Sequence, residues 1–507
     1  MSSMTKPRKE IPLFWIGTVF VGLLAIPLLI LKNPTSLDDG LRHYVYAATL
    51  RSEGIFTVPG WSRFLYEGTM SRLHVDPWFL SDVLLIPFTV LPVVRALQLF
   101  VLAQAAFLLF SFTLLLRAFN MPRRLMPMYL FFFLFGDHLF LSRLFLARPF
   151  PLMTGMFLLT LWAILERRWI SLGFILSISV LLSHLFVFPA ILCAGSILWL
   201  MLQKRNRDAM LLAGSLIAGV AFGFLLHPQA ADYAEYLFTI FFRIPFLREL
   251  KLGNELGYGY AKGISSSVVA LLFAGAMTLA FFRQKNKGRL SGDGWIIILL
   301  GTMSLGLMVA QMLWIRVVDF LWPVLLILIA FLHSRPGNLL ARTKQYLFPT
   351  SMRGHFFADL FVLLTILQTV IVYVVMVRKD PDRRLTTYRA IEAVEPGARV
   401  LNTAWDTLPP FLMLRPDLRY ATGMDPTFLY AEDPEAFRLM DMFHKGTIGK
   451  HEGLSEAVWV DRLLERMPSD VLVLPNGDEK TVEAFSNVPR LRMLSNTGAF
   501  AIFRILP

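Results

Sequence analysis

The chain reads as a polytopic α-helical membrane protein that ends in a small α/β domain, and three observations say so. First, 56% of its 507 residues are apolar and only 17% are charged, whereas soluble domains are about 45–50% apolar; its mean hydropathy is +0.58. Second, the apolar residues gather in runs long enough to cross a bilayer, which takes about 17–25 residues. Third, the charge balance changes sign along the chain: residues 1–379 carry 34 basic and 17 acidic residues, and residues 380–507 carry 15 and 19. The basic surplus lies in short loops between apolar runs, which argues for membrane topology and against a nucleic-acid-binding stripe. A single cysteine, Cys193, excludes a disulfide framework and a thiolate metal cluster.

The first apolar run, Ile11 to Leu31, follows Lys6, Arg8 and Lys9. It is long and lacks a small-residue cleavage site, so it reads as a retained anchor rather than a signal peptide. Further spans are predicted at 94–116, 126–144, 149–165, 170–183, 185–203, 209–227, 264–282, 294–314, 316–333 and 356–377, about eleven in all. With the N-terminus inside, the cytoplasmic loops hold Arg117/Arg123/Arg124, Arg167/Arg168, Lys204/Arg205/Arg207, Arg283/Lys285/Lys287/Arg289 and Arg335/Arg342/Lys344/Arg353. Every one is basic, as the positive-inside rule requires. Of the acids before residue 380, only Glu10, Glu166, Asp208, Asp293 and Asp359 fall on that side. An odd number of spans sets the C-terminal segment outside. The expected organisation is a transmembrane domain over 1–379 in the cytoplasmic (inner) membrane and an extracytoplasmic α/β domain over 380–507.

Two outer segments are too long to be turns. In the loop 32–93, Leu37–Ser52 and Trp78–Leu91 have the pattern of surface helices. The second starts after Asp76-Pro77, with proline at a helix start, and should lie on the membrane with its apolar face down. The loop 228–263 contains the glycine- and tyrosine-rich stretch 253–260, a composition suited to a mobile cover. In the tail, Arg399–Asn402, Asp470–Leu474 and Ala499–Phe503 read as short buried strands, with helices at Thr407–Leu414 and Glu456–Arg466. The tail has no glycine-rich phosphate loop.

Chemistry is expected on the outer side. Asp38-Asp39 opens the first surface helix, where an acid is a good N-terminal cap. One acid suffices for a cap, however, and a pair can also hold a metal or take a proton. His43 lies four residues on, on the same helical face. Asp137-His138 stands in the outer part of the third span, where an acid is expensive and marks function or an ion pair with Arg143 or Arg148. His184 marks the tip of a tight hairpin. Arg143, Arg148, Arg243, Arg248, Lys251 and Arg316 lie at the outer face against the charge rule. They suit either snorkelling to headgroups or binding of a lipid phosphate, whose oxygens match a guanidinium fork. Arg316 and Asp319 are also placed to neutralise each other. No HExxH, GxSxG, Walker or CxxC pattern occurs.

The order of these features resembles the GT-C membrane glycosyltransferases, the group of protein O-mannosyltransferases, aminoarabinose transferases and oligosaccharyltransferases. The likeness rests on the anchor, on Asp38-Asp39-Gly-Leu-Arg-His43 after it, and on His74-Val-Asp-Pro77 before a short helix leading into the second span. Ala147-Arg148-Pro149-Phe-Pro151 at the fourth span, the hairpin at His184 and the outer tail continue it. The resemblance implies transfer of a sugar from a polyprenyl-phosphate donor to an acceptor lipid, glycan or protein at the outer face. It implies Asp39, Asp38 and Asp137 as catalytic residues. Arg42, His43, His74, Asp76, Arg143, Arg148, His184, Arg243 and Arg316 would serve substrate and phosphate. It allows a divalent ion (Mg or Mn) on Asp39, Asp137 and His138, and no other cofactor. The chain departs from the oligosaccharyltransferase pattern in having Asp-His rather than Asp-x-Asp at 137. It departs from the aminoarabinose pattern in having Val75-Asp76-Pro77-Trp78 where that branch has Glu-Lys-Pro-Pro. The alternatives are a transporter or flippase of lipid-linked sugars, which would show related halves that this sequence lacks, and a non-catalytic relative.

Overall fold

The computed structural model describes residues 13–30, 39–244, 294–313, 317–334, 365–374, 386–423, 426–445, 455–475 and 479–507, with isolated positions in 270–278 and at 363. The predicted span at 264–282 falls mostly outside these residues. The stretch 253–260, Asp38, Arg248, Lys251 and Arg316 lie outside them altogether.

The helices run α1 (Leu13–Ile30), α2 (Asp39–Glu53), α3 (Thr69–Arg72), α4 (Phe79–Leu85), α5 (Val93–Ala118), α6 (Met126–Phe135), α7 (His138–Leu144), α8 (Phe150–Leu165), α9 (Trp169–Leu182), α10 (Val187–Leu202), α11 (Asn206–Leu226), α12 (Ala230–Phe238), α13 (Gly294–Leu313) and α14 (Val318–Ser334). Among the described residues, Val93–Ala118, His184–Leu202, Asn206–Leu226 and Gly294–Gln311 are long and apolar enough to cross a membrane. The helices α6, α8, α9 and α14 are apolar but shorter. This is a multi-pass membrane architecture.

Packing explains the pattern. The helices pair as α5 with α8, α9 with α11, and α13 with α14. A Cβ at Gly219 of α11 would lie 2.5 Å from the Gly173 carbonyl of α9, so glycine lets these helices approach as membrane helices do at small residues. In α14, Val318 through Leu328 are all buried, which accounts for a segment apolar on every side.

Two predicted helices break. The span at 126–144 is two helices, because Asp137 takes an extended conformation and accepts from the Leu139 and Phe140 amides, starting α7 afresh. The Phe133 carbonyl, which an unbroken helix would pair with the Asp137 amide, instead accepts from Trp322 Nε1 at 3.2 Å. The surface helix predicted at Trp78–Leu91 is α-helical only to Leu85 and continues as a 3₁₀ turn over Ile86–Val90. Pro87 has no N–H to offer the Val83 carbonyl.

The tail forms a five-stranded sheet of β1 (Arg399–Asn402), β2 (Arg419–Tyr420), β3 (Val471–Pro475), β4 (Leu491–Asn496) and β5 (Phe500–Ile505), in the order β2-β1-β3-β5-β4. β1 is parallel to β2 and β3, while β5 is antiparallel to β3 and β4. The loop before α5 covers the open edge: the Tyr420 amide donates to the Phe64 carbonyl at 2.8 Å, and the Tyr66 amide to the Tyr420 carbonyl at 3.1 Å. The helix at Leu408–Leu414 packs on α2. Tyr46, Trp61, Leu408, Phe411 and Tyr420 share one apolar core. Arg72 pairs with Glu235 at 2.7 Å and Glu432 at 3.0 Å. The loop before α5, the segment after α11 and the sheet therefore stand together on one face.

Candidate active site

Asp39 is the first residue of α2, and the chain is built to bring that end close to the turn before α8. A Cβ on Gly40 would lie 2.8 Å from Ala147 Cβ and 3.1 Å from the Leu146 carbonyl. Ala147 itself sits at φ 52, in the left-handed region that side chains seldom adopt. This close crossing delivers Arg148, whose Nε lies 2.9 Å from Asp39 Oδ2. Arg42, three residues along α2, lies 3.5 Å from Asp39 Oδ1. Both arginines are buried, while the Asp39 side chain is 19% exposed. A carboxylate held between two guanidinium groups at the lip of a buried layer is positioned and accessible at once.

The layer beneath is aromatic and acidic. The Arg42 guanidinium stands 5.1 Å from the Trp78 ring centre and 5.9 Å from that of Trp61, a cation–π arrangement. Trp61 stacks on Tyr46 at 4.7 Å. His43 Nδ1 lies 2.7 Å from Asp82 Oδ1 on α4. Asp76 Oδ1 accepts from Trp61 Nε1 at 3.2 Å and from the Trp78 amide at 3.0 Å. Its own amide donates to Gln229, and His227 Nε2 lies 3.2 Å from its carbonyl. Asp76 and Asp82 are fully buried. Burial, then the neighbouring acid, pushes the Asp76 carboxyl well up, and burial does the same for Asp82. Burial pushes the His43 imidazole down to about 3, with the charge of Arg42 acting in the same direction. Burial thus keeps His43 neutral, with Nδ1 hydrogen-bonded to Asp82.

Asp39, Arg42, His43, Asp76 and Arg148 therefore come together, and His184 joins their edge, its ring 6.1 Å from that of Trp78 and 5.7 Å from that of Tyr236. Other candidates are placed elsewhere. Arg143 holds both oxygens of Asp319, Nε to Oδ1 at 2.8 Å and Nη2 to Oδ2 at 2.7 Å, and the pair is buried. The partner expected for Asp319, Arg316, lies outside the described residues, as does Asp38. Arg243 is exposed, 4.0 Å from Glu432. His74 is exposed against Ser62 Oγ at 2.7 Å and borders a cleft of about 480 Å³ with Gln229 and Asp232. Asp137 caps α7, and His138 Nδ1 is buried with no hydrogen-bond partner among the described residues. Sequence reasoning missed Asp82 and Gly40. The available signal for Asp82 was an acid four residues after Trp78 in a helix expected to lie apolar face down.

No protein-family model matches the chain, and no curated protein matches its sequence. Solved structures do resemble it. The oligosaccharyltransferase of Archaeoglobus fulgidus in its apo form aligns over 94% of this chain and 71% of its own, with a TM-score of 0.59 and 14% identity. The same enzyme tethered to an acceptor peptide with the NVT sequon aligns over 96% and 74%, at 0.56 and 12%. The arabinofuranosyltransferase AftD from mycobacteria aligns over 98% of this chain at 0.55 and 12%, and the chain spans 40% of its length. Both proteins have the GT-C fold. The chain has the fold of the GT-C membrane glycosyltransferases.

Proposed function

We propose that the protein is a glycosyltransferase that moves a sugar from a polyprenyl-phosphate donor to an acceptor lipid, glycan or protein at the outer face of the cytoplasmic membrane. The observation that carries this reading is the accessible Asp39 carboxylate held between Arg148 and Arg42, in a fold shared with an oligosaccharyltransferase and an arabinofuranosyltransferase. The charge pattern of the loops supports the outer side.

In this reading Asp39, with Asp38 as the alternative, accepts the proton of the acceptor hydroxyl. The freed oxygen pair forms the bond to the anomeric carbon as the bond from that carbon to the phosphate oxygen breaks. The leaving electron pair stays on the polyprenyl phosphate. Arg148 and Arg42 fix the carboxylate and also bring fixed positive charge to the place where the phosphate gains negative charge, without reorganisation at the moment of reaction.

The resemblance offers Asp39, Asp137 and His138 as ligands to a divalent ion (Mg or Mn). Among the described residues no group of three or more His, Cys, Asp or Glu side chains is placed to hold one, and Asp39 faces two guanidinium groups. No step here runs through a metal. Turnover in chelator, with and without added Mg or Mn, reads this directly.

The test is consumption of a panel of polyprenyl-phosphate sugars by purified protein in detergent, with Asp39→Asn and Asp38→Asn alongside. Loss of turnover in one variant with the fold intact supports an enzyme and names its base. Donor binding without turnover, unchanged in both variants, points instead to a transporter.

A further inference from the structure

Beneath the proposed base lie two acids with no part in the reaction as drawn. Among the described residues their hydrogen bonds are incomplete. Asp76 Oδ1 is satisfied by Trp61 and by the Trp78 amide, and Asp82 Oδ1 by His43 Nδ1. Asp76 Oδ2 and Asp82 Oδ2 are both buried with no donor among the described residues, although the two carboxyls interact with each other. Two ionised carboxylates cannot donate, and a buried oxygen without a donor is costly. One proton shared by the two interacting carboxyls supplies a donor and removes one of two like charges from a dry site.

We propose that Asp76 and Asp82 form a carboxyl pair holding a single proton, and that this pair, acting through His43, fixes the end of α2 that carries Asp39 and Arg42. The proposal rests on the functional reading above only for its effect on turnover. His43 is the link: it sits one turn after Asp39 and is held by Asp82 across 2.7 Å. Loss of the proton leaves two buried negative charges between α2 and α4 and drives them apart. Among the described residues, the titratable groups facing the pair are Arg42, His43 and Tyr46 from α2 and His227 and Tyr233 from the segment after α11, while Asp39 from α2 and Arg148 from the turn before α8 act on His43. The helix α9, which packs on α4, carries no ionisable side chain. Arg42 and Arg148 are the only fixed positive charges in that set, and both are turned to Asp39.

Asparagine and alanine at 82 separate this role from plain packing. Asp82→Asn keeps an oxygen for His43 Nδ1 and supplies a permanent N–H to Asp76, so it replaces the proton. Asp82→Ala removes both. Three measurements on purified full-length protein decide the matter. Infrared difference spectra of the wild type at neutral pH should show the carbonyl stretch of a protonated carboxylic acid that Asp82→Asn lacks. The melting temperature of the wild type should fall from neutral to alkaline pH, and that fall should be smaller in Asp82→Asn. Hydrogen exchange in α2 should quicken in Asp82→Ala and return toward the wild-type rate in Asp82→Asn. These readouts need no substrate, so failure of the glycosyl-transfer reading is distinguished from failure of this one. Given an active donor, Asp82→Ala should lower turnover about a hundredfold, the size expected of a misplaced reacting group, and Asp82→Asn should lose the alkaline fall in rate. Absence of the protonated-acid band, or pH profiles of melting that coincide in the wild type and Asp82→Asn, overturns the shared proton. Unchanged α2 exchange in Asp82→Ala overturns the positioning role.

Discussion

Asp39 and His43 lie one turn apart on α2, yet their surroundings suit them to different work. Asp39 reaches the surface between two arginines, whereas His43 is 2% exposed and packed edge-on against Trp61 and Trp78. The histidine therefore stays neutral, and its effect on stability has a definite sign. Its folded value, about 3, lies below its ordinary value of 6.5, so the unfolded chain takes up a proton in that interval that the folded chain does not. The stability His43 contributes is present above about pH 6.5 and is lost as the pH falls toward 3, by ~1.4 kcal/mol per pH unit within the window. His227, pushed down by burial to about 4, adds a second loss of the same sign. Thermal melts across this range should show the acid-side fall, and His43→Gln should make it shallower; a slope unchanged by the substitution would contradict a buried neutral histidine. The Asp39–His43 spacing was readable from the sequence because a helix fixes it. The partner of His43 was not, since Asp82 belongs to a different helix, 39 residues along the chain.

At the scale of elements, two contacts between segments far apart in the chain hold the site and the helices behind it. Gly40 lets α2 meet the Leu146-Ala147-Arg148 turn. Gly40→Ala puts a methyl 2.8 Å from Ala147 Cβ, overpacking that costs about 1–3 kcal/mol and moves Asp39 away from Arg148. A lowered melting temperature together with reduced turnover is the expected result. The second contact is Arg143 with Asp319, joining α7 to α14. Arg143→Ala leaves Asp319 buried and uncompensated, at about 3–5 kcal/mol, whereas Arg143→Met with Asp319→Leu together should recover most of the loss. Equal instability of the single and double variants would mean that the pair does more than neutralise itself. Sequence reading located most helices because their periodic apolar runs are long, and the strands at 399, 471 and 500 because theirs are short and apolar. It joined α6 to α7 because hydropathy does not register a single acid turning its carboxylate onto two amides. It missed the strands β2 and β4, one only two residues long and the other largely open to solvent.

For the whole molecule, the sheet is coupled to the site through apolar packing more than through charge. Phe411 lies against Tyr388, Tyr420 and Phe500 in the core that also contains Tyr46 and Trp61. Phe411→Ala should destabilise by about 3–5 kcal/mol and loosen the Trp61 layer under Arg42. Arg72, 43% exposed in its pairs with Glu235 and Glu432, should change stability by no more than about 1 kcal/mol when replaced by alanine. Chemical denaturation of the two variants compares these values. The loop before α5, α12 and the sheet share one face, the arrangement that an odd number of spans before each would produce. The helix-to-helix docking that builds the site could not be read in this way, since it depends on contacts such as Gly40 with Leu146 and Ala147 and Trp78 with His184, between residues more than a hundred positions apart. On the proposed reading Asp39 reacts and does not merely cap α2. The most direct test is single-turnover transfer from a polyprenyl-phosphate sugar by Asp39→Asn, with donor binding measured in parallel. Loss of turnover by about a hundredfold or more, with donor affinity kept within a few-fold, is expected of a general base. Turnover that survives in Asp39→Asn would show that the carboxylate only caps the helix and would contradict this reading.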